Sequence, residues 1–496
     1  MKNKITHPLW ALEHKKPGTE LKLVNGRYYL YEVKSVYDKT LKRSKKISGS
    51  ILGRITEAEG FVPSEKKILK EKSAKTYLNK DILALEYGYA HWLLDTMQQE
   101  GILDDLKTHF PSLWSYIVVM VYCRTAYQSP LKNIPFYLSQ SAIMDMIDWK
   151  EKLSDQKISD ALFDIGSKTK AIHDFIRPAQ NNGKTILMDA TDIVLQSHNI
   201  SLSQTGYNAN MDFQPQFVLL YLYDAQTLAP LYYRLLPGNI REITAMQNTI
   251  KMAGMEKCTF IADKGFYSEA NVSELEKLGM QFMIPLRRDN KYINYSGLNN
   301  IELTDNYFNY DKRYVFHADT INQNGRSIEL FWDGKLKEQD KSDYLTRIKT
   351  VPENYSKEKF NDKIQAMGTL AIIHNTGLKP QQAYIEYKNR GYIEQLFDHL
   401  KNTIDASCSN MQREQSLNGW MFINHLSMKM IYKLFITLKS TPLNKTQMLN
   451  HKYSINDVIN HLSSIKKIQF DEKNYVISEQ NKLTKTLLEK MKISIT

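Results

Sequence analysis

Three acidic residues, each set among groups that suit phosphate, carry the chemistry legible in this sequence. Glu394 lies in the run Tyr387-Lys-Asn-Arg390-Gly-Tyr-Ile-Glu394-Gln-Leu-Phe-Asp-His-Leu-Lys401. Wound as one α-helix at about 100° per residue, Tyr387, Arg390, Glu394 and Lys401 share an arc roughly 60° wide. Ile393, Leu396, Phe397, Leu400 and Ile404 form an apolar stripe beside it. The polar row then faces along the edge of whatever the stripe packs on. An ordinary surface helix also carries charges at such a border. Here, however, the carboxylate sits among a guanidinium, an ammonium and a phenol. Those groups bind phosphate, and a carboxylate among them suits a hard divalent cation. Asp189 and Asp263 add two more carboxylates. Together the three fit a site for two hard cations bridging the attacking and leaving oxygens of an in-line phosphodiester displacement.

The elements around these residues read as an α/β core, split into residues 183–286 and 366–405. Thr185 to Thr191 is a strand that carries Asp189 at its polar end. Alternation puts Asp189 and Thr191 on one face, where Thr191 supports the aspartate, and Asp192 on the other. Strands over 216–223 and 230–236 follow as a meander through the turn Asp224-Ala-Gln-Thr. Pro237-Gly238-Asn239 ends that run, and a helix covers 244–253. Cys258-Thr-Phe-Ile-Ala is a buried strand delivering Asp263, with Gly265 just beyond. Ser268 is an N-cap for a helix to Leu278, and 281–286 is one more strand. Residues 287–365 change pattern: strand-like runs at 313–317 and 327–332 lie among Asn, Asp and Lys, as in an inserted β-rich subdomain. The strand 368–374 leads back to the Glu394 helix.

The flanks are less specific. Residues 1–78 read as a small basic β module. Its strands, 27–37 and 47–54, join through a turn bearing Lys39, Lys42, Arg43, Lys45 and Lys46. Such a tip either contacts a phosphate backbone or keeps a sheet edge soluble. A second basic run, Lys66 to Lys75, links onward. Residues 79–178 read as a helical domain over 81–99, 112–125, 133–145 and 159–176, a candidate for DNA-end binding. Residues 406–496 read as mainly helical, with His425 on a helix surface and a polar, lysine-rich tail. The net charge of +12 over 496 residues favours a polyanionic partner. Cys123, Cys258 and Cys408 lack zinc spacing and fit reduced cytoplasmic thiols. No apolar run is long enough to span a bilayer.

These residues resemble the DDE transposases of bacterial insertion sequences, in the group with a Tyr-x2-Arg-x3-Glu-x6-Lys signature. Tyr387, Arg390, Glu394 and Lys401 fit that spacing without a gap. Asp189-Ala-Thr191 is similar to the family's Asp-x-Thr element, and Asp263-Lys-Gly-Phe-Tyr to its second acidic element. Pro237-Gly-Asn is similar to its common turn. The likeness covers about residues 183–425. It implies a ribonuclease-H-like core with a β insertion before the Glu helix. It also implies cut-and-paste transposition on the double-stranded DNA of terminal inverted repeats and target, by a homodimer in the nucleoid-associated cytoplasm. By the resemblance, Asp189, Asp263 and Glu394 hold two Mg²⁺ ions, with Mn²⁺ able to substitute. Tyr387, Arg390 and Lys401 then grip end phosphates. Relatives that trap a flipped base use a Trp in or near the insertion, for which Trp332 is a candidate. Two alternatives share much of this pattern: a metal-dependent nuclease without strand transfer, and a degenerate transposase that only binds DNA.

Overall fold

The computed structural model describes residues 7–38, 43–64, 82–177, 183–197, 199–206, 214–239, 242–391, 394, 397, 408–470 and 474–495. The chain divides into two units, Met1–Leu83 with Ile468–Val476, and Ala84–Lys467 with Ile477–Thr496.

In the first unit, β1 (Thr19–Val24), β2 (Arg27–Asp38), β3 (Arg43–Thr56) and β4 (Gly60–Pro63) form an antiparallel meander. Runs rich in Tyr, Val and Ile explain the long central pair. Ala11, Leu21, Leu30 and Ile55 make its small core. β1 pairs with β2 only as far as Glu32, and β4 with β3 only from Gly53. Beyond those points β2 and β3 continue alone as a two-stranded ribbon to the pair Asp38–Arg43. Arg43, Lys45 and Lys46 are exposed on it. Lys39, Lys42 and the basic run 66–75 lie outside the described residues.

At the boundary, β5 (Leu83–Glu86) replaces the start of the helix expected from residue 81, and the helix of the second unit runs Gly88–Gln99. The buried Glu86 carboxylate accepts the Tyr89 N–H at 2.7 Å, satisfying a first-turn donor from outside the helix. The helix expected over 133–145 is two, Ile134–Ser139 and Ile143–Met146. That over 159–176 is also two, Asp155–Ser167 and Thr169–Ile176, because Lys168 (φ −86°, ψ 53°) leaves the helical region. These helices do not form a core of their own. With the long, largely buried helix Glu414–Ser440 they share one continuous apolar core with the central sheet.

That sheet holds β6 (Thr185–Leu195), β7 (Gln204–Thr205), β8 (Pro215–Asp224), β9 (Pro230–Pro237), β10 (Thr259–Ala262) and β11 (Gln281–Leu286). It continues with β12 (Tyr307–Tyr310), β13 (Arg313–His317), β14 (Ile321–Gln323), β15 (Arg326–Asp333), β16 (Thr369–His374) and β17 (Cys408–Ser409). Its order is β12-β13-β15-β16-β11-β10-β6-β8-β7, with β9 on β8, β14 on β15 and β17 on β6. β8 is antiparallel to both β6 and β9; β10 is parallel to both β6 and β11. Every residue from Gln216 to Asp224 is buried, as expected of a strand covered on both faces. Gly238 permits the Pro-Gly-Asn turn, since a Cβ there would stand 2.3 Å from the Gln216 carbonyl.

Residues 287–365 differ from the β-rich subdomain expected. β15 pairs with β16 from Ser327–His374 to Trp332–Thr369, so these strands extend the central sheet. The second half is helical, over Gly334–Thr350 and Lys357–Lys363. The first of these helices is charged nearly all round and buries only Tyr344, so it lacks the apolar stripe that marks a helix in sequence. The C-terminal region is not purely helical either. It adds β18 (Lys466–Gln469) and β19 (Tyr475–Ile477) before the helix Lys482–Lys490, which buries Leu487 and Leu488.

Candidate active site

Asp189 stands in the middle of β6, where pairing with β8 sets it opposite Tyr221. In the parallel β6–β10 ladder Met188 pairs with Ala262. Asp263, extended at φ −75° and ψ 164°, is therefore next in register to Asp189. Neighbouring strands bring the two within roughly one inter-strand spacing, about 4.8 Å. A 3₁₀ turn, Lys264–Phe266, follows Asp263 at once. Ser268 then caps the helix Glu269–Lys277 by accepting the Asn271 N–H.

The third carboxylate does not arrive on the single helix that the sequence suggests. Tyr387 belongs to the helix Pro380–Lys388, which ends at the cap residue Asn389. Asn389 and Arg390 form a turn, with the Arg390 N–H on the Tyr387 carbonyl at 3.0 Å, and Gly391, Glu394 and Phe397 are helical again. Lys401, Ile393, Leu396, Leu400 and Ile404 lie outside the described residues. Phe397 is buried edge-on against Tyr221 and Tyr223, with ring centroids 6.4 and 6.1 Å away. Those tyrosines stack on each other, and Tyr221 hydrogen-bonds His425. His425 is thus fully buried rather than on a helix surface. It supports the aromatic floor on which Phe397 seats the Glu394 segment beside Asp189.

Arg390, in the turn at residues 389–390, points into the acidic cluster. Arg390 Nη1 donates to Asp189 Oδ2 at 2.8 Å. Its Nη2 lies 3.5 Å from Asp263 Oδ1 and 3.6 Å from Glu394 Oε1. Exposure falls steadily toward the centre, from 71% for Glu394 through 36% for Asp263 to 16% for Asp189 and 13% for Arg390. Burial pushes the Asp189 carboxyl up to about 6, aided by Asp263 and Glu394 and opposed by Arg390 and the Ala190 N–H. Burial alone would weaken the Arg390 guanidinium as an acceptor of its proton; the carboxylates and Tyr387 outweigh it and raise its pKa. Burial also raises the Tyr387 phenol, which sits beside Arg390.

The fold thus brings Asp189, Asp263, Glu394, Arg390 and Tyr387 together. Thr191 follows on the Asp189 strand, opposite Leu219. On one unbroken helix Lys388 would lie about 100° from Tyr387 and face solvent; it is instead half-buried over the Tyr384 ring, 5.4 Å from its centroid, and burial lowers its pKa. Tyr384 is itself packed by Phe308, Tyr310 and Phe331. Helical angle alone missed this because those strands cover a face that the helix leaves open. Trp332 packs on Phe316 and takes Lys337 over its ring. Phe397 packs as its place in the apolar stripe predicts, whereas Tyr221, Tyr223 and His425 are supports that sequence reading missed. The Tyr-x-Tyr alternation in β8 was the available signal.

Residues 181–426, just under half of the chain, match the family model of the transposase DDE domain. The match begins just before β6 and ends within the helix Glu414–Ser440, so it takes in all five residues of the site. It supports DNA transposition as the process and makes this stretch similar to a class of DNA-processing enzymes. Two solved structures also align. A piggyBac transposase synaptic complex with hairpin DNA does so at 11% identity over 70% of this chain and 69% of its own, with a TM-score of 0.39. A Mos1 transposase paired-end complex with its left transposon end does so at 14% identity over 31% of this chain and 53% of its own, with a TM-score of 0.15. No curated protein sequence matches the chain. No helix among the described residues is long and apolar enough to cross a membrane.

Proposed function

We propose that the chain is a cut-and-paste DNA transposase of the insertion-sequence type, which cleaves transposon ends and joins them to target DNA. The observation that carries this is the convergence of Asp189, Asp263 and Glu394 on one guanidinium. Antiparallel β6, β8 and β9 followed by parallel β10 and β11 support a ribonuclease-H-like reading of the core.

The donor set suits hard divalent cations: carboxylate oxygens only, with no thiolate or imidazole among them. Among the described residues no three acidic, His or Cys groups are clustered as one ion's shell, and Arg390 stands between the three carboxylates. Burial raises the Asp189 pKa to about 6 and the Arg390 cation opposes the rise, so a cation beside this carboxylate favours its charged form. Asp189, Asp263 and Glu394 would hold Mg²⁺, with Mn²⁺ as substitute. Bound there, the ions would activate the attacking oxygen and stabilise the leaving one. Asp189 lies within β6 and Asp263 directly follows β10; Glu394, the exposed one, would complete the set from the last segment. Tyr387, Arg390 and Lys401 orient end phosphates, and Thr191 supports Asp189.

Double-stranded DNA is the partner this reading requires, with a homodimer pairing two ends and the nucleoid as its place of action. The test is to sequence the DNA flanking the gene for terminal inverted repeats and to assay single-turnover cleavage of duplexes carrying those ends, with Mg²⁺, Mn²⁺ or EDTA. Cleavage should need the metal and leave a 3′ end able to join a second duplex. Full cleavage in EDTA rejects the reading; metal-dependent cleavage without joining reduces it to a nuclease.

A further inference from the structure

Arg390 does more in this site than the phosphate grip its spacing suggests. Its one guanidinium contacts all three carboxylates, by a hydrogen bond to Asp189 at 2.8 Å and ion pairs to Asp263 and Glu394 at 3.5 and 3.6 Å. We propose that Arg390 is a resident competitor of the divalent cation. In DNA-free protein it neutralises the acidic site, and the metal binds fully only once the guanidinium is drawn away. This rests on reading the three carboxylates as metal ligands.

Three observations carry it. First, a hard cation needs its oxygens at about 2.0–2.6 Å, and a guanidinium among the same oxygens excludes that arrangement. Second, three carboxylates outnumber one guanidinium, so the site retains a net pull on a further cation while Arg390 blocks it. Third, Arg390 lies in the two-residue turn between helical segments, followed by Gly391, around which space is open. A side chain at such a joint can swing without unwinding a helix. Phosphate offers a guanidinium the same bidentate fork as a carboxylate. A DNA phosphate and the acidic cluster therefore compete for one group, and a phosphate that wins it frees the carboxylates. Linkage then makes DNA and metal strengthen each other's binding, and the protein without DNA stays poorly charged with metal.

The test is a Mn²⁺ titration of the DNA-free full chain, followed by the electron paramagnetic resonance of free Mn²⁺. A thermal melt with and without Mn²⁺ gives a second readout. Arg390→Gln should bind Mn²⁺ about tenfold tighter than wild type or more, within the roughly 5–150-fold range of site couplings. Its melting temperature should also gain more from Mn²⁺. Arg390→Lys, which keeps the charge but loses the fork, should fall between; it serves if Arg390→Gln does not fold without metal. Asp189→Asn should bind weakest. Should Asp189→Asn bind like wild type, the metal-site reading itself falls. If Asp189→Asn loses Mn²⁺ while neither arginine variant gains affinity, only the competitor role falls.

Discussion

Arg326 offers a test of how the extended sheet holds the site. It sits at the start of β15, 9% exposed, and reaches across to the helix Glu269–Lys277. Its Nε and Nη2 form a fork on the two Glu276 oxygens at 2.8 Å each, and Nη1 donates to Glu269 at 2.8 Å. That helix begins shortly after Asp263, so the arginine ties the added strands to the element that delivers a candidate ligand. Hydrogen bonds to charged groups contribute about 1.5–3 kcal/mol each when both partners are dry. Here Glu269 is 50% and Glu276 33% exposed, so water re-solvates them once the arginine is removed. Discounted for that exposure, the fork on Glu276 and the bond to Glu269 together make Arg326→Ala cost about 2 kcal/mol, with Arg326→Lys recovering roughly half. Urea unfolding at low ionic strength, followed by tryptophan fluorescence, reads this without the screening that guanidinium chloride adds. The double-mutant cycle with Glu276→Gln isolates the pair. A loss under about 0.5 kcal/mol, or additive single effects, would refute the claim that this fork clamps the helix.

Other expectations are more direct. Asp189→Asn, Asp263→Asn and Glu394→Gln should each abolish end cleavage while mobility shifts show end binding retained, because Lys and Arg contacts supply most DNA affinity. Binding lost together with cleavage would count against the assignment. Removing the charges of Arg43, Lys45 and Lys46 should flatten the slope of log affinity against log salt by about two to three, and an unchanged slope makes the ribbon tip a soluble edge. Gly166→Ala should destabilise by about 2–3 kcal/mol or more, since its Cβ would fall 1.7 Å from the Gln415 carbonyl where two helices cross; a wild-type melting curve would mean that the crossing yields. Burial raises the Glu86 pKa despite its bonds from Tyr122 and Tyr89. The folded state therefore holds a proton that the unfolded chain has lost. Stability should fall as pH rises from the ordinary carboxylate range through the raised native pKa, and Glu86→Gln should flatten that fall. An unchanged pH profile in the variant would locate the dependence elsewhere.

Legibility in the sequence followed the strength of local signals. The strands around Asp189 and Asp263, the meander turn at Asp224 and the Ser268 cap all came from alternation and turn chemistry, and the chain folds accordingly. Signals that depend on neighbours were not legible. Helical periodicity runs straight over Asn389 and Arg390, yet the chain breaks there and the guanidinium is held by carboxylates rather than left for DNA. Lys388 has a solvent-side angle but meets Tyr384 under the added strands. His425 looks polar on its helix, yet that stretch of helix is buried and its Nδ1 bonds the Tyr221 hydroxyl.

The return of the chain at β16 has a consequence for how the protein can be divided. β16 lies between β11 and β15, pairing with both, although β11 ends at Leu286, β15 at Asp333, and β16 begins only at Thr369 after two helices. The turn at residues 351–356 separates the two helices of that excursion. A chain opened there would keep Asp189 and Asp263 on one piece and Arg390 and Glu394 on the other. The second piece would carry, near its own beginning, the strand that fills the slot in the first. Two halves expressed apart would then zip together through a donated strand, and neither half would carry a complete site until they met.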